Sequence, residues 1–135
     1  MSPQIDAIIY KGVPLLEFTD VAVVEKEQVK AIVEVKSWID TTALFGDKVE
    51  VGSERDKNTG LAYQFNQRRD FLPEEARYIL FTFGLYSGRD DDDVYKRLKE
   101  ICNMYAIVSR IRGQADNFNF KDSVSKLIKW LRELS

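Results

Sequence analysis

The spacing of apolar positions changes period along this chain, and each change marks an element. Ile5-Asp6-Ala7-Ile8-Ile9-Tyr10 is apolar and rich in β-branched residues, which predicts a strand closed by the Lys11-Gly12-Val13-Pro14 turn. Asp20 to Val24 predicts a second short strand, Glu25 to Gln28 a polar turn, and Val29 to Lys36 a third strand. The first third therefore reads as an antiparallel β-meander. Trp38, Ile39, Leu44 and Phe45 predict a short helix after it. A further helical piece is expected from Thr59 to about Phe71, with Leu61, Phe65 and Leu72 on one side and Pro73 as its stop.

The run Tyr78 to Tyr86 is almost continuously apolar, the pattern of a central strand covered on both faces. Val94, Leu98 and Ile101 mark an amphipathic helix, and Tyr105 to Ile111 a further strand. Lys121 to Leu134 carries Val124, Leu127, Ile128, Leu131 and Leu134 on one stripe and predicts a terminal helix. The order is β-β-β, a helical region, β, α, β, α. That order predicts an α/β fold, a mixed sheet with helices packed on it, and residues 1–135 fit a single domain.

Composition removes several chemistries. The chain of 135 residues has no histidine, which excludes Ser-His-Asp and Cys-His catalysis and histidine-ligated zinc. Cys102 is the only cysteine, so it reads as a partly buried free thiol. No apolar run approaches the roughly 18 residues of a membrane span, and Met1-Ser2-Pro3-Gln4 leads straight into a strand without a signal peptide. A cytoplasmic protein is the expectation. The net charge of −2 gives no overall attraction to nucleic acid. From Val94 onward, however, nine Lys/Arg stand against four Asp/Glu, while the earlier part is acidic. A basic C-terminal part facing a phosphate backbone and a solvated basic surface are both consistent with that count.

The chemistry that remains centres on Glu34-Val35-Lys36. Residues two apart on a strand project from one face, so this acid and this base share a face that a sheet normally buries. Phosphodiester hydrolysis needs a metal on the phosphate, a poised water and charge compensation on the leaving oxygen. Glu34 and the Val35 carbonyl offer oxygen ligands for Mg²⁺ or Mn²⁺, and Lys36 offers a cation beside the attacking water. An aspartate from a neighbouring strand completes the set. A tight hairpin at Glu25–Gln28 would set Asp20 nearly opposite Val33 and Glu34, whereas Asp6 reaches Glu34 if its strand pairs with Val29–Lys36.

At these residues the chain resembles the PD-(D/E)xK nuclease superfamily. It is most similar to an uncharacterised prokaryotic branch with a Ser-x-Gln-x-Asp stretch before a short strand and a later Glu-Val-Lys strand. Ser2-Pro3-Gln4-Ile5-Asp6-Ala7-Ile8-Ile9-Tyr10 and Val29 to Ser37 carry the resemblance, which spans residues 2 to 37. It implies a restriction-endonuclease-like mixed sheet flanked by helices and a metal-dependent endonuclease acting on DNA. Asp6 and Glu34 would bind the metal, Lys36 would be the catalytic lysine, and Gln4 would assist from the face of Asp6. The superfamily core usually opens with a helix and a strand ahead of the aspartate. Asp6 stands so early that an N-terminally truncated domain is expected, and a homodimer is consistent with it. A domain of the same fold that binds nucleic acid or protein without cutting is the alternative.

Other polar clusters have plainer readings. Asp90 to Asp93 fits a helix N-cap with acids in the first turn. Arg68-Arg69, near Gln64 and Gln67, fits either a phosphate contact or a surface helix. Arg110 and Arg112 could grip a backbone, and Trp38 and Trp130 read as core or helix-packing residues.

Overall fold

The first apolar run forms β1 (Ala7–Tyr10), and the chain then makes a hairpin of β2 (Leu16–Phe18) and β3 (Val21–Val23). A single 3-10 turn, Lys26–Gln28, leads into β4 (Val29–Asp40). The short α1 (Thr41–Phe45), the two-residue strands β5 (Asp47–Lys48) and β6 (Arg55–Asp56), and α2 (Leu61–Arg68) follow. After a 3-10 turn at Arg69–Phe71 come β7 (Arg77–Tyr86), α3 (Asp91–Ile101), β8 (Met104–Arg112), β9 (Ala115–Asn117) and α4 (Lys121–Leu134). This computed structural model describes residues 6–49, 54–112, 115–117 and 121–134. Gln4, with Ser2, Pro3 and Ile5, lies outside the described residues.

The chain is an α/β fold built on a mixed sheet in the order β1-β4-β7-β8, with the short β9 added at the edge. β1 pairs antiparallel with β4, while β4, β7 and β8 run parallel. Parallel neighbours need crossover connections, and α2 and α3 supply them. Alternation along the strands divides the core in two. Ile32, Leu80 and Ile107 point to the layer of α1, α2 and α3. Ala31, Ile79 and Ala106 point to α4, where Leu127 is buried and Val124 and Trp130 pack. That second face is covered over only part of its length, since Val35, Phe83 and Val108 remain exposed on it. Ile128 and Leu131 of the α4 stripe are exposed as well.

Three readings of the chain are corrected here. The first third is not a meander: β3 pairs with β2 in a separate two-stranded sheet, and β4 pairs directly with β1. The residues before β4 form a 3-10 turn and not a hairpin turn, because Gln28 is tied back to the β1 exit through Lys11 N–H to Gln28 O and Gln28 Nε2 to Val13 O. Nor does a helix begin at Trp38. The strand continues to Asp40, whose carboxylate accepts from Ala43 N–H and caps α1 there.

Trp38 is consequently no core residue. It is 61% exposed and lies against Gly84 on β7, its register partner. A methyl group at Gly84 would meet the indole Cζ3 at 2.1 Å. Ile32 and Ile39 face the same layer although seven residues apart, as do Leu80 and Leu85 five apart. Strict alternation forbids this, so both strands skip one step between Lys36 and Trp38 and between Thr82 and Gly84. They skip together, so their pairing holds on to Asp40 and Tyr86.

Buried polar side chains tie the layers together. Arg97 on α3 donates to Leu44 O at the end of α1 and to Lys57 O. Arg110 is fully buried and donates to Ser87 O and Arg89 O, with Asp91 at 3.3 Å. It thus holds the β7–α3 loop, and the reading of Arg110 as a grip on an external backbone is overturned by that burial. Arg112 is exposed. Asp90 caps α3 through Asp93 N–H, as the acidic run predicts. On the outer edge of β8, the Ser123 hydroxyl of α4 accepts from Ile107 N–H at 2.9 Å.

Candidate functional site

The pairing of β1 with β4 decides which aspartate stands near Glu34. Ala7 is opposite Val33, so Asp6 falls opposite Glu34, just beyond the end of β1. There its Oδ2 accepts the Val35 N–H at 2.9 Å. The carboxylate thus continues the ladder where backbone pairing stops. A residue's N–H and C=O leave a strand on the same side, so the Val35 carbonyl also points to the edge that Asp6 occupies. Asp20 sits in the turn between β2 and β3, outside the main sheet, and the hairpin geometry that favoured it does not exist.

Glu34 and Lys36 face the layer of α1, α2 and α3. Glu34 is 4% exposed, so it is no solvated pair on an open sheet. Its Oε1 is 3.1 Å from Lys36 Nζ, and Lys36 remains one-third exposed. Its Oε2 accepts from Arg68 Nη1 at 2.6 Å. Arg68 comes from the last turn of α2 and is itself buried. A carboxylate taken from water needs compensating charge and hydrogen bonds, and two cations of this chain supply both.

Arg68 is the partner that sequence reasoning assigned to phosphate or to a surface. A signal for its burial was present. Leu61, Phe65 and Arg68 fall at i, i+4 and i+7, so the arginine lies on the apolar stripe of α2. Gln64, one turn before Arg68, has a buried Oε1 with no hydrogen-bond partner among the described residues. Gln67 turns outward and donates to Tyr63 Oη, and Arg69 is exposed, stacked over Tyr78 at 5.5 Å.

The donors near Glu34 are all oxygen: two carboxylates and a carbonyl. That chemistry suits Mg²⁺ or Mn²⁺, which bind through one or two carboxylates and keep several waters. Among the described residues no three His, Cys, Asp or Glu side chains come together as a metal site, so the Val35 carbonyl has to serve as the third ligand. The residues fit such an ion, which would compete with Lys36 and with the Arg68 guanidinium for the Glu34 oxygens.

Elsewhere, burial pushes the Cys102 thiol up to about 12, with Leu80 opposing it through a backbone hydrogen bond. That thiol is buried and hydrogen-bonded to Leu98 O, which makes it a packing residue. Among the described residues no helix is long and apolar enough to cross a membrane. Comparison with protein-family models, curated proteins and solved structures gives no match to this chain.

Proposed function

We propose that the chain is a metal-dependent phosphodiesterase of the PD-(D/E)xK type that hydrolyses nucleic acid, with DNA as its expected substrate. The observation that carries this reading is that Asp6 stands opposite Glu34 in the β1–β4 register and accepts the Val35 N–H, with Lys36 ion-paired to Glu34. Asp6 and Glu34 are far apart in sequence, and the β1–β4 register sets them opposite each other. An antiparallel pair followed by a parallel strand is also the sheet expected of a restriction-endonuclease-like core.

In this reading Asp6, Glu34 and the Val35 carbonyl hold Mg²⁺ or Mn²⁺. Such an ion, when bound, polarises a phosphate oxygen and lowers the pKa of a coordinated water. The remaining work belongs to the chain. The Val35 amide fixes the Asp6 carboxylate, so its orientation costs little at binding. Lys36, one-third exposed and held beside Glu34, presents its ammonium to the attacked phosphate and offsets charge there. The β4 backbone keeps both at fixed spacing. One site per chain cuts one strand, so cleavage of a duplex would call on two copies.

A second reading is favoured by one observation: both Glu34 oxygens are engaged by cations of this chain. A domain of this fold that binds nucleic acid or protein without cutting would keep that arrangement permanently. The deciding experiment is Mg²⁺- and Mn²⁺-dependent cleavage of supercoiled and single-stranded DNA by wild type and Lys36→Ala. Cleavage by the wild type alone supports the phosphodiesterase. Metal-independent gel retardation without cleavage supports the binding module.

A further inference from the structure

Glu34 already carries a guanidinium on one of the oxygens that would hold a metal. Arg68 Nη1 lies 2.6 Å from Oε2, and the oxygen cannot serve a guanidinium and a divalent ion along one direction. Among the described residues around the site, Asp6 and Glu34 are balanced by Lys36 and Arg68. Adding a doubly charged ion to that balanced set leaves an excess of positive charge in a partly desolvated pocket. Repulsion then acts most on the group nearest the ion.

Arg68 has a second place to go. Gln64 stands four residues earlier on α2, on the same helix face, and its buried Oε1 has no hydrogen-bond partner among the described residues. A buried acceptor without a donor is costly, and few are tolerated in folded proteins. A guanidinium leaving Glu34 would meet that acceptor within one helical turn. The two arrangements use the same residues and differ in which oxygen the arginine serves.

We propose that Arg68 is an internal, exchangeable cation: it holds Glu34 until a divalent metal replaces it, and the displaced guanidinium passes to Gln64 and to a substrate phosphate. This rests on the metal-dependent reading above. Arg68 is thereby a positioning residue that links the metal to the substrate. A phosphate that takes the guanidinium favours the metal-bound arrangement, and by linkage the metal favours phosphate binding equally. The fork of guanidinium donors matches a phosphate as well as it matches a carboxylate.

The test is Mn²⁺ affinity without DNA, followed by electron paramagnetic resonance of free Mn²⁺ on the full chain. Arg68→Met removes the competing cation and should tighten Mn²⁺ binding by about tenfold or more, within the usual range of site coupling. Gln64→Leu removes the second acceptor and should weaken it. These opposite shifts separate exchange from general damage to the site. Should Arg68→Met fail to fold, the Arg68 Nε–H resonance of ¹⁵N-labelled wild type gives the same information, since it should move as Mg²⁺ saturates. Equal Mn²⁺ affinity in wild type and Arg68→Met, an unmoved Arg68 signal at saturation, or no metal binding at all overturns the exchange. Opposite shifts in affinity with no DNA cleavage would instead overturn the phosphodiesterase and leave the exchange standing.

Discussion

The Asp6 carboxylate hydrogen-bonds the Val35 amide at 2.9 Å, one residue beyond the last backbone pair of β1 and β4. The bond separates two roles of one side chain. Asp6→Asn keeps an acceptor for Val35 N–H but loses the charge, so stability should stay near wild type while metal-dependent cleavage falls by about a hundredfold or more. Asp6→Ala should lose the cleavage and also about 1 kcal/mol in urea denaturation. Unchanged cleavage in both variants would remove Asp6 from the chemistry.

Glu34 and Lys36 should differ sharply in their effect on stability. Glu34→Ala takes from the buried Arg68 guanidinium its carboxylate partner, a loss of about 3–5 kcal/mol for a broken buried pair. Lys36 is one-third exposed, so Lys36→Ala should cost no more than about 1 kcal/mol. Cleavage should nevertheless vanish in Lys36→Ala with DNA retardation retained. Denaturation curves beside nicking and gel-shift assays check the pair. A well-folded Lys36→Ala that still cuts would contradict the mechanism.

Gly84 is required by its neighbour. A side chain there strikes the Trp38 ring, with the nearest ring atoms at 2.1 and 2.2 Å. Gly84→Ala should destabilise by about 1–3 kcal/mol, as overpacking does. Because Trp38 is exposed, Trp38→Ala in the same chain should restore most of the loss. Thermal melts of the single and double variants measure this, and additive losses would sink the explanation.

Alkaline pH should weaken the fold. Burial raises the Cys102 thiol from an ordinary 9 to about 12, and burial together with Tyr95 raises Tyr105 from 10 to about 12. Both groups are acids that the folded state keeps protonated. Their contribution is complete below pH 9 and declines as pH rises through 9 to 12. Melting temperature should therefore fall across that window. Tyr105→Phe should flatten the fall above pH 10. A thiol reagent at pH 8 should label Cys102 only after unfolding.

The parallel part of the sheet and its helices were legible because their signals are local. β4, β7 and β8 are apolar runs, and α3 and α4 carry apolar stripes that a window of a dozen residues reveals. Pairing is not local. Nothing within Asp20–Gln28 announces that this stretch leaves the main sheet, and the choice between Asp6 and Asp20 depended on that. The helix expected at Trp38 failed for a related reason, since a strand that skips one step shows two successive exposed residues, Ser37 and Trp38, and breaks the alternation a reader follows. Glu34 with Lys36 was visible from spacing. Arg68 lies 34 residues from Glu34, and its clue, a charged residue on an apolar stripe, resembles an ordinary surface charge until α2 is laid on the sheet.

Ser123 reaches from α4 to the backbone of Ile107 on the outer edge of β8. An edge strand is an open template, and any extended chain that meets it can add itself to the sheet. One hydroxyl placed in the middle of that edge interrupts the template where a visiting strand would have to continue. The helix therefore does more than cover apolar side chains: on the stretch of β8 that β9 leaves unpaired it limits where the sheet can grow, and so helps keep one copy of the chain from becoming the first layer of many.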